Sequence, residues 1–163
     1  MKFENQLLNF AKKTSKIYRS ITGKGVRDVL KLIKRDIPNL KIKSVPSGFK
    51  AFDWIVPNEW HVEEAYILNK KGEKVIDFKK NNLHLVSYST SVNKILSLKD
   101  LNKNLFSINK LPTAIPYVTS YYKKSWGFCL SHNQRKKLKE KSYKVKIKSN
   151  FIKGFLNYGE VYL

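Results

Sequence analysis

The chain has 163 residues, 42% of them hydrophobic and 13% aromatic. This allows one ordinary domain or two small ones, excludes a large multidomain enzyme and is too apolar for a disordered tail. Its 33 basic residues against 12 acidic ones give a formal charge of +21, a surface that attracts polyanions by counterion release.

Phe3, Leu7, Leu8, Phe10, Ala11 and Ile17 recur at three- and four-residue spacing, which predicts a helix over residues 3–18. Gly23 and Gly25 interrupt that pattern, and Thr22 is placed to cap a second helix. The second helix has the face Val26, Val29, Leu30, Ile33 and Ile37. It ends at Pro38, because proline disfavours helical geometry in the residue before it. From Leu40 the period changes. Leu40, Ile42 and Val45 read as a strand entering the Pro46-Ser47-Gly48 turn, and further strands are expected at 65–68, 74–78 and 83–88. Ser97, with Asp100 three residues on, opens a brief helix. Residues 126–130 read as a buried strand, and Ser131 with Gln134 forms a capping box for a basic helix reaching about Lys139. Tyr143, Val145 and Ile147 alternate with lysines as a strand with one solvent face. Phe155, Leu156, Tyr158, Val161, Tyr162 and Leu163 make a last strand pattern, which needs a neighbour for its apolar face and backbone groups. The expected class is α+β: two N-terminal helices, then a β-rich domain with one or two short helices. With no downstream parallel sheet expected to cover them, the two helices are expected to pack poorly or to be displaced.

Only Arg19, Arg27, Arg35 and Arg135 among the basic residues are arginines. The guanidinium fork reads phosphates and base edges, whereas a lysine ammonium is a solvated point charge that any surface accepts. Nucleic acid is therefore not the expected partner. A Lys-rich module for nucleic acid or another polyanion stands as the second reading, with the basic run 135–141 and the aromatics Tyr117, Tyr121, Tyr122 and Trp126 as its material. No apolar run of about 18 residues exists to span a bilayer. Residues 1–5 do not open a charged leader with an apolar stretch behind it, so a cytoplasmic location is expected.

Catalytic chemistry is sparse. One cysteine, Cys129, excludes an internal disulfide and a Cys-based zinc site, and its sequence neighbour His132 raises a Cys/His nucleophile pair against a buried, inert thiol. His61 with Glu63 and Glu64 is a two-ligand fragment without a closing partner. His84, between two leucines, is expected at a sheet edge or in solvent, and His132 in the first turn of a capped helix. Gly23-Lys24-Gly25 lacks the spacing and the preceding strand of a phosphate loop, leaving a turn and helix start.

Five words occur in order: residues 19–23 (Arg-Ser-Ile-Thr-Gly), 45–48 (Val-Pro-Ser-Gly), 52–57 (Phe-Asp-Trp-Ile-Val-Pro) with Glu59-Trp60, 116–122 (Pro-Tyr-Val-Thr-Ser-Tyr-Tyr) and 126–131 (Trp-Gly-Phe-Cys-Leu-Ser). With these words the chain resembles, over nearly its whole length, the front of a bacterial aminopeptidase-like family of uncharacterised function that often accompanies surface-polysaccharide biosynthesis genes. That resemblance implies a zinc-exopeptidase-like catalytic domain interrupted by a small β-rich insert and followed by a winged helix. Residues 1–38 then correspond to the helical lead-in of the catalytic domain, 39–153 to the insert and 154–163 to the first returning strand. The family's metal ligands and catalytic carboxylate match no position here, so no catalytic, cofactor-binding or metal-binding residue is assigned and the chain alone is expected to be inactive. Zinc and a peptide substrate are implied for the full-length relatives only. The expected partner is the catalytic part of the same protein or a second copy of the chain. Arg19, Thr22, Tyr121, Tyr122 and Trp126, which fall in these words, are the candidates for lining a cleft.

Overall fold

The computed structural model describes residues 2–162. What the sequence predicts for the Phe3 side chain and for Leu163 lies outside the described residues. In chain order the elements are α1 (Lys2–Ser15), α2 (Lys24–Asp36), β1 (Lys41–Pro46), β2 (Lys50–Ala51), β3 (Trp54–Ile55), β4 (Glu59–Leu68), β5 (Lys74–Asp77), β6 (Val92–Ser97), α3 (Leu98–Leu101), β7 (Leu105–Phe106), β8 (Phe128–Cys129), α4 (His132–Lys136), β9 (Ser142–Ile152) and β10 (Phe155–Glu160), with 3₁₀ turns at Asn82–His84 and Asn102–Asn104. The class is α+β. The chain divides into two compact units, Met1–Trp60 with Phe151–Leu163 and, between them in sequence, His61–Asn150. Among the described residues no helix is long and apolar enough to cross a membrane.

In the first unit, β1 and β10 pair antiparallel from Lys41 opposite Glu160 to Pro46 opposite Phe155, so the last strand finds its neighbour within this chain. Val29 of α2 is buried, as are Leu40, Val56 and Trp60, and Tyr18 meets Trp60 edge-on at 5.5 Å. Helix α1 is less covered: Leu7 and Leu8, in the stripe that marks it as amphipathic, are 54% and 52% exposed. The predicted cap of α2 is corrected. Its N-cap is Gly23 with no side-chain cap bond, while Thr22 is buried and its backbone carbonyl accepts from Ser20 Oγ at 2.8 Å. Gly25 is required at the next turn, since a Cβ there would stand 1.8 Å from the Tyr18 carbonyl oxygen. The β2–β3 hairpin, which the sequence reading leaves without structure, turns through Phe52 at φ 55.

The polar centre of this unit is Glu59, whose side chain is 6% exposed. Arg27 of α2 grips it with two bonds, at 2.5 Å and 3.1 Å, and the Phe155 backbone N–H donates to Oε1 at 3.0 Å. Arg27 also reaches Asn157 Oδ1 on β10 at 3.3 Å. Gly154 leaves room for the carboxylate, because a Cβ would come within 2.6 Å of it. Ser47 completes the join: its hydroxyl donates to the Pro57 carbonyl at 3.0 Å and accepts from Gly154 N–H at 3.1 Å. A single carboxylate thus ties helix, strand and turn, and Glu59 holds the Arg27 guanidinium above its ordinary pKa, chiefly by hydrogen bonding.

The second unit is built on a sheet of order β5-β4-β9-β6, with a parallel β7–β8 pair beside it in sequence. Tyr143, Val145 and Ile147 of β9 and Ala65 and Ile67 of β4 are buried, as their alternation predicts. Strand β6 escapes the sequence reading because Asn93, Lys94 and Ile95 are all exposed, so no alternation marks it. The strand expected at 83–88 is corrected to a 3₁₀ turn followed by isolated bridges, Leu85 to Phe128 and Ser87 to Thr119, with residues 84–89 all buried. Helix α4 has the predicted capping box but stops at Lys136, and Leu138 beyond it is buried.

Replacing Arg27 by alanine should lower the unfolding free energy by roughly 2–3 kcal/mol, somewhat less than for a fully buried pair because Arg27 keeps about a third of its side chain in water. Replacing Lys24, whose partner Asp28 is on the helix surface, should leave it nearly unchanged. Urea denaturation of the two variants checks the contrast.

Candidate functional site

Within the second unit, residues 107–127 carry no regular element, and their order comes from a buried frame at 86–90. Val86 N–H donates to the Gly127 carbonyl (3.1 Å), Ser87 N–H to that of Val118 (2.9 Å) and Thr90 N–H to that of Ser125 (2.9 Å). Ser120 returns two bonds to the Ser87 carbonyl, from its N–H at 2.9 Å and its hydroxyl at 3.2 Å. Ser87 and Ser89 are almost fully buried, which small hydroxyl side chains tolerate when bonded: Ser89 Oγ donates to the Val86 carbonyl at 2.6 Å and accepts from Gly127 N–H at 3.3 Å.

This frame carries the aromatic candidates. Tyr88 is buried with φ 67, and its ring meets Tyr121 edge-on at 5.9 Å. Tyr121 in turn lies 4.4 Å from Tyr122, which is 78% exposed. Tyr121 and Trp126 are half-buried, while Lys123 and Lys124 are exposed. Tyr121 and Tyr122 are therefore brought together. Arg19, exposed, and Thr22, buried, belong to the first unit. Tyr88 was missed as a site residue, since no sequence signal announces a positive φ at tyrosine.

The basic run reads differently in three dimensions. Arg135 is half-buried and donates to Asn102 Oδ1 (3.2 Å), the Asn102 carbonyl (3.2 Å), the Leu105 carbonyl (3.0 Å) and Ser107 Oγ (3.4 Å). Its guanidinium fastens α4 to the segment before the irregular stretch, and its lysine neighbours alone form the solvated face.

The titratable groups are engaged structurally. His84 is buried, with Nδ1 2.8 Å from the Cys129 carbonyl oxygen, which corrects the expected edge or solvent position. His132 Nδ1 lies 3.3 Å from Ser107 Oγ. Glu64 pairs with Lys146 and Glu63 with Lys148, each at 2.6 Å, and Lys146 holds the Glu64 carboxyl below its ordinary range by hydrogen bonding. Cys129 is fully buried, and desolvation pushes its thiol up to about 11. A nucleophile needs the thiolate, which such burial suppresses at neutral pH. Among the described residues no three His, Cys, Asp or Glu side chains are grouped to hold a metal ion. The zinc that the resemblance implies for the full-length relatives thus has no fitting donor set among them.

Comparison with known proteins places the chain. The family described as a domain of unknown function (DUF2172) matches residues 59–150, more than half of the sequence, and the chain belongs to it. A Clostridium acetobutylicum protein, named as a candidate polysaccharide biosynthesis protein with an aminopeptidase-like domain, is 48% identical over 158 residues, covering 97% of this chain and 36% of that protein. The crystal structure of a candidate peptidase from Clostridium acetobutylicum superposes with a TM-score of 0.89 at 46% identity, covering 97% of this chain and 37% of the other. The chain spans little more than a third of the length of these relatives.

Cys129 should resist iodoacetamide in the native protein at pH 7.5 and be modified rapidly once urea unfolds the chain. Mass spectrometry of timed samples checks this, and fast native labelling would contradict the burial that raises the thiol pKa.

Proposed function

We propose that this chain is the N-terminal, non-catalytic part of an aminopeptidase-like protein, and that its β-rich unit shapes the approach to a metal-dependent peptidase centre formed by the remaining length of the full protein. The observation that carries the reading is the pairing of 48% identity across 97% of this chain with only 36% coverage of a relative named for an aminopeptidase-like domain. In this reading residues 1–38 lead into the catalytic domain, residues 39–153 carry its insert and residues 154–163 return to it. The compact unit His61–Asn150 and the family match over 59–150 support an insert. Pairing of β1 with β10 supports it too, since an inserted domain is tolerated where its entry and exit lie side by side.

The chemistry proposed for the full-length protein is hydrolysis of an N-terminal peptide bond by metal-activated water, with the metal supplied by ligands outside this chain. Tyr121, Tyr122 and Trp126 of the second unit are proposed to face the substrate path rather than the reacting bond, while Thr22 is buried in the first unit. A reducing cytoplasm is the proposed location.

The test is an assay of this chain beside the Clostridium acetobutylicum relative on a panel of aminoacyl p-nitroanilides with zinc supplied. The relative should release nitroaniline and this chain should stay at background. Turnover by this chain would overturn its non-catalytic role, and background rates from the relative across the panel would overturn the peptidase reading itself.

A further inference from the structure

Irregular segments longer than about a dozen residues are uncommon inside compact domains and are more often functional than idle. Residues 107–127 are such a segment, and three observations set its second half apart. Tyr88, on the frame beneath, has φ 67, a strained conformation for a bulky side chain that persists only where its surroundings over-determine it. That conformation accompanies a relay of rings, from buried Tyr88 through half-buried Tyr121 to Tyr122 at 78% exposure, with Tyr117 at 62% exposure and the exposed lysines Lys123 and Lys124 on the same loop. Thirdly, Thr119 Oγ1 is buried with no hydrogen-bond partner, a state that folded proteins rarely leave unexplained.

We propose that residues 117–126 form a binding platform for a carboxylate-bearing glycan, a polymer of uronate-type sugars. The flat apolar faces of the tyrosines suit the C–H faces of pyranose rings, and the phenol hydroxyls offer donors and acceptors to sugar hydroxyls. Lys123 and Lys124 supply the charge that a row of carboxylates needs. Single-stranded nucleic acid fits this surface less well. It calls for separated rings along a cationic track, whereas Tyr121 and Tyr122 pack on each other at 4.4 Å and the loop holds no arginine fork for phosphate. The platform lies wholly within the His61–Asn150 unit and stands whether or not the relatives hydrolyse peptides.

Because a charge of +21 retains any polyanion at low salt, the test uses charge-matched variants of the full chain at about 0.15 M salt. Calorimetric titration with octagalacturonate should show binding that Tyr122→Ala weakens about tenfold, as loss of an exposed aromatic anchor does. Lys123→Ala with Lys124→Ala should weaken it similarly. Lys12→Ala with Lys13→Ala on α1 removes the same charge from residues outside the platform and should change affinity less than about twofold. Neutral dextran oligosaccharides should not bind. No binding of octagalacturonate, an unchanged affinity in Tyr122→Ala, or equal losses in the two lysine pairs would each overturn the platform. So would an oligothymidylate that binds more tightly and depends more strongly on Tyr122.

Discussion

Polar groups taken out of water must find partners inside the fold, and each unit of this protein is organised around one such demand. In the first it is the Glu59 carboxylate. A buried carboxylate without its cation and N–H donor is among the costlier defects a small core can hold. The surroundings of Glu59 are accordingly fixed: Arg27 from α2, the Phe155 N–H from β10 and a glycine at 154 to leave space. These partners lie far apart in sequence, so the site can close only when the start and end of the chain have come together. The β1–β10 pairing and the carboxylate site therefore support each other.

In the second unit the demand comes from the backbone at 86–90, buried yet outside any regular sheet. The N–H groups of Val86, Ser87 and Thr90 and the Ser87 carbonyl are met by residues 118–127, and small hydroxyls at Ser89 and Ser120 fill part of what a ladder would otherwise supply. An irregular loop is thereby given a rigid base while its outer rings and lysines stay in solvent. A stiff frame beneath an accessible surface is the arrangement that recognition surfaces share, because less freedom is lost when a partner binds.

Much of the fold was legible because local signals and burial agree. The i, i+3, i+4 stripe of α2, the Ser131/Gln134 capping box and the two-residue alternation of β9 each state a preference that the core then uses. Where packing overrides local pattern the reading fails. Strand β6 is polar at its centre because only Val92 is buried, and residues 83–88 read as a strand although Leu83 is exposed and most partners of the buried residues behind it are loop residues. Thr22 fits a helix cap by type, but the turn carries Gly23 there and buries the threonine instead. At the candidate site the aromatic words were visible, while the positive φ of Tyr88 and the engagement of Arg135 with two carbonyls were not, since both arise from distant chain segments. The resemblance supplied the family, and the relatives' much greater length bears on where chemistry resides.

The central claim is that this chain contributes scaffold and surface to a reaction centre whose metal ligands lie outside it. Metal content measured on the protein after equilibration with zinc and removal of the excess tests that claim most directly, with the Clostridium acetobutylicum relative treated alongside. The account predicts stoichiometric zinc in the relative and only trace metal in this chain. One tightly held zinc ion per molecule of this chain, lost when its own histidines are replaced, would contradict it.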